Sequence, residues 1–339
     1  MSDEKGLRIS VIGAGSWGTT IAKHLAEKGF DVIIWVKEED VRESILKNRE
    51  NHLYLPKIKL PENIYPTGFL QEALADRDLI IFSVPSQYVR EVLKEGRGFI
   101  GDGSIIINTA KGIELSTLKL MNQVFEDMLS ENIRERYASL SGPSFALEVS
   151  RRKPTAVSIA SRNLAAARAG QKAFSNEYFR AYVTEDVVGV EIGGSLKNVI
   201  AIAAGIADGL GLGHNSKSAL ITRGLAEITR LGVKMGASPM TFLGLSGVGD
   251  LVLTCTGELS RNREVGLRIG KGEKLEDILS NMRMVAEGVK TSLAARELAQ
   301  RFGVDVPIAE QVCLMLYSGK APEDAIFELM TRQLKHEMG

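Results

Sequence analysis

A glycine-rich turn near the N-terminus limits what this chain can fold into more than any other feature. The segment GAGSWG (residues 13–18) follows an apolar run and opens a helical pattern. A G-x-G-x-x-G spacing between a strand and a helix is typical of dinucleotide binding, because Gly13 makes the turn, Gly15 lets the backbone approach a pyrophosphate and Gly18 lets the helix pack on the strand. The alternative is a purely structural turn.

The apolar runs in the first half of the chain predict an α/β domain. They are continuous rather than alternating, as in parallel strands that are buried on both faces. The predicted strands cover residues 8–12, 31–36, 78–84, 104–108, 137–140, 155–160 and 180–183, and the predicted helices among them cover residues 18–28, 41–48 and 117–129. We therefore predict a Rossmann-type domain with a doubly wound, mainly parallel sheet over residues 1–188.

From about Val187 onward the pattern is helical only. Residues 216–235 place Leu220, Gly224, Ile228 and Leu231 on one stripe. Further helices are predicted over residues 275–282, 291–302, 307–317 and 322–332. Because 339 residues exceed what one core usually organises, we predict a second, all-α domain over residues 189–339.

Composition narrows the class of protein. The 42 basic and 42 acidic residues balance, which gives no electrostatic reason to expect nucleic acid or a membrane surface as partner. Two cysteines, Cys255 and Cys313, are too few for a disulfide framework or a metal cluster, so we predict no metal site. The charged N-terminus is not typical of a signal peptide, and the apolar run over residues 199–213 is interrupted by Asp208 and too short to span a bilayer. We expect a soluble, cytoplasmic protein.

The residue after the second predicted strand bears on the choice of cofactor. An acidic residue about 20 positions beyond the glycine-rich turn binds the ribose 2′-hydroxyl in sites that prefer NAD. Here the strand is followed by Lys37, which would favour a 2′-phosphate and hence NADP(H). Glu38 is adjacent, and the alternative for Lys37 is a solvated loop residue.

Three candidate site residues follow strand ends, where open α/β sheets bind ligands. Lys111 comes just after the predicted strand at residues 104–108, and Gly142 and Ser144 come just after the strand at residues 137–140. Backbone N–H groups, a hydroxyl and an ammonium at such positions could contact a ligand. The alternatives are a surface lysine and a plain turn.

The helical half contains a second group of candidate site residues. Ser260, Arg261 and Asn262 look like a helix start, where free N–H groups and a guanidinium suit phosphate. Asp250 ends a glycine-rich segment, and Glu287 could reach a cofactor amide or ribose. The alternatives are an ordinary helix cap with a solvated arginine, and an exposed acid.

Lys197 lies in a segment otherwise made of small and aliphatic residues. On a helix its neighbours would be Gly193, Gly194, Ile200, Ala201 and Ala204. That nearly bare face lets a ligand or another helix come close, and burial would lower the lysine pKa toward the range of a general acid and base. The alternative is a lysine that reaches solvent beside a helix–helix contact.

Together these segments resemble the bacterial-type, soluble NAD(P)-dependent glycerol-3-phosphate dehydrogenase family nearly end to end. The matching segments are GAGSWGT (13–19), KGIE (111–114), SGPSFALEV (141–149), LKNVIAIAAGI (196–206), NSKSALITRGL (215–225), GVGDLVLTC (247–255), SRN (260–262) and VAEGVKT (285–291). The resemblance implies reversible reduction of dihydroxyacetone phosphate to sn-glycerol 3-phosphate, a precursor of glycerophospholipids, by a homodimer.

The resemblance also implies a role for each matching position. Lys197 would accept the proton in oxidation and donate it in reduction. The substrate would contact Lys111, Gly142, Ser144, Asp250, Ser260, Arg261 and Asn262. The cofactor would contact Ser16, Trp17, Lys37, Lys111, Ala146, Arg261, Val285 and Glu287, besides the glycines of the turn. The stretch around Lys37 varies in the family, which leaves the choice between NADH and NADPH open.

Other functions fit parts of the pattern. A related β-hydroxyacid dehydrogenase or ketoacid reductase also pairs these two domain types with a lysine, but the helix start at residues 260–262 suits phosphate. A non-catalytic NADP(H) sensor would not need Lys197, Asp250 and Arg261 together. His214 follows a glycine-rich turn but not a strand end, so we interpret it as a loop residue rather than as a catalytic base.

Overall fold

An eight-stranded sheet forms the centre of the first half of the chain, and the predicted fold class is confirmed. The computed structural model describes residues 6–282, 284–334 and 336–337. The sheet contains β1 (Ile9–Ile12), β2 (Val32–Trp35), β3 (Ile64–Thr67), β4 (Leu79–Phe82), β5 (Ile105–Asn108), β8 (Tyr137–Ser141), β9 (Thr155–Ala160) and β10 (Phe179–Thr184), in the order β10-β9-β8-β5-β4-β1-β2-β3. All neighbouring pairs are parallel except β8 and β9.

The seven predicted strands are present, with ends that differ by at most two residues. The edge strand β3 was not predicted, because Pro66 interrupts its apolar pattern and is tolerated there only at a sheet edge. The predicted helix at residues 117–129 is wrong over its first four residues. Lys119–Leu120 forms β7, which pairs with β6 (Ile113–Glu114) in a small antiparallel hairpin.

Helices cover both faces of the sheet, as a doubly wound fold requires. They are α1 (Ser16–Glu27), α2 (Glu39–Asn48), α3 (Leu70–Leu74), α4 (Val89–Gly96), α5 (Met121–Met128), α6 (Glu131–Arg134), α7 (Ala146–Ser150) and α8 (Leu164–Phe174). Val11 and Ile34 belong to the apolar cluster on one face, and Ile12 and Phe82 belong to the cluster on the other.

The second half of the chain is helical, as predicted. Its helices are α9 (Val187–Gly209), α10 (Gly213–Lys234), α11 (Asp250–Thr256), α12 (Arg261–Gly270), α13 (Leu275–Ser280), α14 (Glu287–Phe302), α15 (Pro307–Tyr317) and α16 (Pro322–Met330). His214 lies in the first turn of α10 rather than in a loop, so that interpretation was wrong, and its side chain is exposed. The last strand ends at Thr184 and α9 begins at Val187, while a domain boundary at residue 188 stays a prediction.

The helix α9 is the centre of the helical half. Among the described residues it is the one helix long and apolar enough to cross a bilayer by composition, and 94% of its most apolar 18-residue window is buried in the fold. The apolar run seen in the sequence, residues 199–213, covers only its second half and the turn after it. Burial of this kind is what a core helix of a globular protein shows.

Glycines let α12 lie directly on α9. A Cβ on Gly205 would overlap the carbonyl oxygen of Arg263, and one on Gly266 would overlap the carbonyl oxygen of Ile202. The two backbones are therefore in contact without side chains between them. This crossing brings the start of α12, at Arg261, close to the middle of α9.

Candidate active site

The glycine-rich turn has the geometry of a dinucleotide cradle. Gly13 has a φ of +108°, and a Cβ on Gly18 would overlap the carbonyl oxygen of Gly13, so the chain itself requires both glycines. A Cβ on Gly15 would meet nothing within 4 Å. The open face of Gly15 beside the N-terminus of α1 leaves room for a pyrophosphate, and these residues therefore fit a bound dinucleotide.

Residues from three other segments surround this turn. The Ser16 hydroxyl donates to the carbonyl oxygen of Tyr54 at 2.6 Å, and the sulfur of Met284 lies 3.1 Å from it. The carbonyl oxygen of Ala146 accepts a hydrogen bond of 3.2 Å from Thr20 on α1. The predicted cofactor residue Ser16 thus begins α1, and the predicted residue Ala146 contacts the same helix at Thr20.

Two further predicted cofactor residues border the same turn. Trp17 is half-buried and packs against the apolar cluster that contains Val11 and Ile34. Val285 is exposed and directly follows Met284. Ser16 of the turn therefore meets Met284, the neighbour of the predicted residue Val285, although the two are far apart in the sequence.

Lys37 lies just beyond the end of β2. It is exposed and has no hydrogen-bond or ion-pair partner within the part of the chain that the structure describes. The neighbouring Glu38 accepts a hydrogen bond of 2.9 Å from the Tyr54 hydroxyl. None of the described residues therefore pairs with this ammonium, which lies at the strand end where the adenosine ribose of a dinucleotide binds in this type of fold.

Lys197 is held inside the helical half by two neighbours on α11. Its ammonium donates to Asp250 Oδ1 and to Thr254 Oγ1, each at 2.7 Å. Thr254 donates its own proton to the carbonyl oxygen of Asp250 at 2.6 Å, which fixes the lone pair that faces Lys197. Lys197 is 6% exposed and Asp250 is 1% exposed, so this ion pair is protected from bulk water.

Burial and charge act in opposite directions on this pair. Burial lowers the pKa of Lys197 to about 8, although the Asp250 carboxylate works against that shift and the nearby Lys111 ammonium adds to it. Burial would raise the pKa of Asp250, but Lys111 and Lys197 together hold it below its usual value. A lysine with this pKa can change protonation state near neutral pH.

Lys111 joins the strand ends of the sheet to the same carboxylate. Its ammonium donates to Asp250 Oδ2 at 2.6 Å and to the carbonyl oxygen of Gly142 at 3.2 Å. The Ser144 hydroxyl donates to that carbonyl at 2.9 Å. Gly142 has a φ of +142°, and a Cβ there would lie 2.9 Å from the Cα of Val157. The predicted residues Lys111, Gly142, Ser144, Lys197 and Asp250 thus form one cluster.

The small residues beside Lys197 serve the packing of the chain. A Cβ on Gly193 would lie 2.5 Å from the carbonyl oxygen of Ser246, and one on Gly194 would lie 2.6 Å from Ser141 Oγ. The sequence left open whether a ligand or another part of the protein would come close to this face. The structure shows backbone and side chain of the protein there.

The start of α12 presents an exposed cation. Ser260 caps the helix, and its hydroxyl accepts a hydrogen bond of 3.3 Å from the N–H of Arg263. Arg261 is exposed and forms no hydrogen bond or ion pair with the described residues. A guanidinium beside free N–H groups of a helix N-terminus can bind a phosphate.

Asn262 is placed differently from Arg261, because both atoms of its side-chain amide have protein partners. Its Nδ2 donates to Asn198 Oδ1 at 2.9 Å, and its Oδ1 accepts from the N–H of Gly288 at 2.9 Å. Asn262 thereby connects the residue after Lys197 with the residue after Glu287. The side chain is buried.

Glu287 begins α14 and faces the first half of the chain. Its two carboxylate oxygens accept from the N–H and the hydroxyl of Ser86, at 3.0 and 2.8 Å. Burial raises the pKa of Glu287, while the Ser86 bonds and the Arg261 charge oppose that rise. Glu287 thus connects the turn after β4 with the helical half through two hydrogen bonds.

Three residues of this site were not predicted individually: Ser86, Asn198 and Thr254. Thr254 stands four residues after Asp250, one helical turn away, so its spacing was a usable signal. Asn198 adjoins Lys197 in the sequence. Nothing local distinguishes Ser86, because its partner Glu287 is distant along the chain.

Comparison with known proteins gives a consistent result over nearly the whole chain. The family described as NAD-dependent glycerol-3-phosphate dehydrogenase matches with its N-terminal model at residues 8–167 and its C-terminal model at residues 186–327. The chain is 54% identical to the glycerol-3-phosphate dehydrogenase [NAD(P)+] of Syntrophotalea carbinolica, across 98% of this chain and all of that protein. It is 54% identical to the enzyme of the same name from Geobacter sulfurreducens, across 97% of this chain and 98% of that one.

Solved structures show the same similarity. The crystal structure of glycerol-3-phosphate dehydrogenase from Coxiella burnetii matches with a TM-score of 0.92 and 37% identity, over 96% of this chain and 99% of that one. A D-mandelate dehydrogenase in complex with NADH matches with a TM-score of 0.62 but only 12% identity. The second likeness shows a shared fold alone.

Proposed function

The chain belongs to the NAD-dependent glycerol-3-phosphate dehydrogenase family, and from that premise we propose how its residues interconvert dihydroxyacetone phosphate and sn-glycerol 3-phosphate. It is an NAD(P)-dependent oxidoreductase whose product serves glycerophospholipid synthesis. The observation that carries the residue assignment is the buried ammonium of Lys197, held by Asp250 and Thr254 beside Lys111.

Lys197 moves the proton. Bound NAD(P)H supplies the hydride that adds to C2 of the ketone. As negative charge develops on the carbonyl oxygen, the ammonium of Lys197 stabilises it and donates one proton, so that the alcohol forms and a neutral amine remains. In the direction of oxidation the neutral amine accepts that proton from the hydroxyl.

Asp250 keeps the lysine in position. Its Oδ1 accepts from Lys197 and its Oδ2 accepts from Lys111, so one carboxylate orients two cations toward the same space. The negative charge also supports the protonated form of Lys197 against the effect of burial. The resemblance implies that Asp250 contacts the substrate, whereas these contacts favour a role in orienting the lysine.

The phosphate is bound at the start of α12. Arg261 supplies a guanidinium that forms no hydrogen bond or ion pair within the described part of the chain, and Ser260 and Asn262 place the first N–H groups of the helix beside it. The close crossing of α12 and α9 holds this anchor near Lys197. Lys111, Gly142 and Ser144 form the opposite wall, at the ends of β5 and β8. Fixed binding of the phosphate orients the carbonyl toward Lys197.

The cofactor would be held between the two halves of the chain. Gly13, Gly15, Ser16, Trp17 and Gly18 form the pyrophosphate cradle, and Ala146, Val285 and Glu287 complete its rim. Lys37 gives a cation for a ribose 2′-phosphate, while Tyr54 engages the competing carboxylate of Glu38. We therefore propose that NADPH is preferred over NADH.

The test is a spectrophotometric assay with dihydroxyacetone phosphate, run in parallel with NADH and NADPH. We expect loss of nicotinamide absorbance with both, faster with NADPH at low cofactor concentration. Lys197→Ala should lose turnover by roughly 10³-fold and still bind NADPH. Lys94→Ala, on the exposed face of α4, is the control. Near-normal turnover of Lys197→Ala would overturn the assignment of the proton carrier.

A homodimer is the second part of the proposal. An apolar groove of about 1090 Å³ runs along α10, α15 and α16, and Leu220, Met315 and Leu329 contribute to its walls. Phe327 follows the lining residue Ile326 on α16 and is 69% exposed. Groups of this kind are usually covered by another protein surface.

Sedimentation analysis tests the homodimer. The parent should sediment at twice the monomer mass of 36.9 kDa, and Phe327→Glu should lower that mass. Phe69→Glu is a matched control, because Phe69 is 67% exposed in the other half of the chain. A parent that sediments as a monomer contradicts this part of the proposal.

The cytoplasm is the location that the cysteines support. Cys255 and Cys313 are both free and buried. Free thiols are stable in a reducing compartment. Fractionation of the native cells should place the activity in the cytoplasmic fraction.

A further inference from the structure

We propose that Asn262 is a positioning residue whose side-chain amide fixes the start of α14, and hence Glu287, against the catalytic helix α9. This inference rests on the proposed function. It assigns to the Asn262 side chain the role of keeping Glu287, which borders the cofactor site, aligned with Lys197, which carries the proton. The family resemblance implies only that Asn262 contacts the substrate.

The side-chain amide of Asn262 forms a hydrogen bond through its nitrogen and another through its oxygen. Asn262 Nδ2 donates to Asn198 Oδ1 at 2.9 Å, on α9 next to Lys197. Asn262 Oδ1 accepts from the N–H of Gly288 at 2.9 Å, on α14 next to Glu287. Among the natural side chains of this size, an amide is the one that supplies a donor and an acceptor in opposite directions at every pH.

The surroundings of the amide are buried and closely packed. Asn262 is 8% exposed and Asn198 is 6% exposed. A Cβ on Gly288 would lie 2.6 Å from the carbonyl oxygen of Asn198 and 2.8 Å from Asn262 Oδ1. The first turn of α14 therefore rests directly on α9, and Asn262 fills the remaining gap between them.

Three parts of the site meet at this residue. Its backbone belongs to the first turn of α12, which presents Arg261, while its side chain contacts the neighbours of Lys197 and of Glu287. Loss of the amide should therefore loosen the start of α14 even when no substrate is present. A residue that only contacts substrate would leave the cofactor site unchanged.

The experiment measures NADPH affinity of the full-length enzyme without substrate, by fluorescence of the bound nucleotide, beside kcat and KM for dihydroxyacetone phosphate. Asn262→Ala removes both bonds, and we expect its Kd for NADPH to rise about tenfold. Asn262→Asp keeps the acceptor for Gly288 but sets a buried carboxylate oxygen against Asn198 Oδ1, so its Kd should rise at least as much as that of Asn262→Ala. Its KM for the phosphorylated ketone should stay high, because the carboxylate repels phosphate.

An unchanged NADPH Kd in Asn262→Ala, with only KM raised, would overturn the proposal and leave a substrate contact. If Asn262→Ala does not fold, Asn198→Ala decides instead, because it removes the acceptor of Nδ2 and should weaken NADPH binding by about threefold. An unchanged Kd in that variant also overturns the proposal. Failure of the proposed function is distinguishable, since it would appear as absent turnover in the parent.

Discussion

At the scale of single residues, the pKa of Lys197 predicts opposite pH dependence for the two directions of the reaction. Reduction needs the protonated amine, so its kcat/KM should fall as pH rises through about 8. Oxidation needs the neutral amine, so its kcat/KM should rise through the same pH. Initial rates in both directions between pH 6 and about 10 check this prediction. If kcat/KM changes in the same sense with pH for reduction and for oxidation, the role of Lys197 is contradicted.

Asp250→Asn should shift that pH profile. The Asp250 carboxylate supports the ammonium of Lys197, so its loss should lower the lysine pKa below about 8 and move the falling limb of reduction to lower pH. We expect kcat/KM for reduction to fall by roughly 10²-fold at neutral pH. Asp277→Asn, on the exposed surface of α13, is the control and should keep the parent profile. A profile of Asp250→Asn with unchanged midpoints would show that the carboxylate acts only through geometry.

The sequence indicated Lys197, Asp250, Lys111 and Arg261 because each lies in an unusual local setting. It did not indicate that one carboxylate would bind two of the lysines, since that depends on how α11 meets the ends of β5 and α9. Ser86 was missed for the same reason. The candidate site was thus predictable as a set of residues but not as a network.

At the scale of secondary-structure elements, continuous apolar runs were sufficient to locate the buried strands. The edge strand β3 was not located, because one face of an edge strand is solvated and Pro66 interrupts its pattern. The hairpin of β6 and β7 has two residues in each strand, too few to show a periodicity. Elements whose apolar pattern reflects burial were therefore predictable. The edge strand and the short hairpin, whose strands each pair with only one neighbouring strand, were not.

The glycines of α9 and α12 predict a mutation that acts through an element. In Gly266→Ala, the new methyl would overlap the carbonyl oxygen of Ile202, so α12 must move away from α9. We expect a loss of about 3 kcal/mol in the free energy of unfolding and a melting temperature lower by roughly 5–10 °C. The displaced phosphate anchor should also raise KM for dihydroxyacetone phosphate.

Gly98→Ala provides the comparison for that variant, because a Cβ on Gly98 would meet nothing within 4 Å. Its stability should stay within about 1 kcal/mol of the parent. Differential scanning fluorimetry of both variants checks the difference. If the two melt together, the backbone contact of α9 and α12 does not limit stability.

At the scale of the whole molecule, Glu191 links the sheet to the helical half. This residue of α9 accepts a hydrogen bond of 2.5 Å from the Tyr137 hydroxyl on β8. It also accepts from the N–H of Asn122 at the start of α5, at 3.0 Å. Since Glu191 is 5% exposed, burial raises its pKa to about 7. The carboxyl is therefore neutral in the folded protein over a pH range in which it would be charged in the unfolded chain.

That difference makes overall stability depend on pH. Between pH 4.5 and about 7 the folded state holds a proton on Glu191 that the unfolded chain has released, so stability falls as pH rises through this window. In Glu191→Gln the side chain stays neutral and keeps an acceptor oxygen. The free energy of unfolding of this variant should therefore fall by roughly 2–3 kcal/mol less than that of the parent over the same window. The check is the urea midpoint of parent and variant at pH 5 and pH 8. Burial also raises the pKa of Glu227 to about 7, so the variant should still lose stability as pH rises, but less than the parent does. If parent and variant lose equal stability between the two pH values, Glu191 is not the titrating group that joins the two halves.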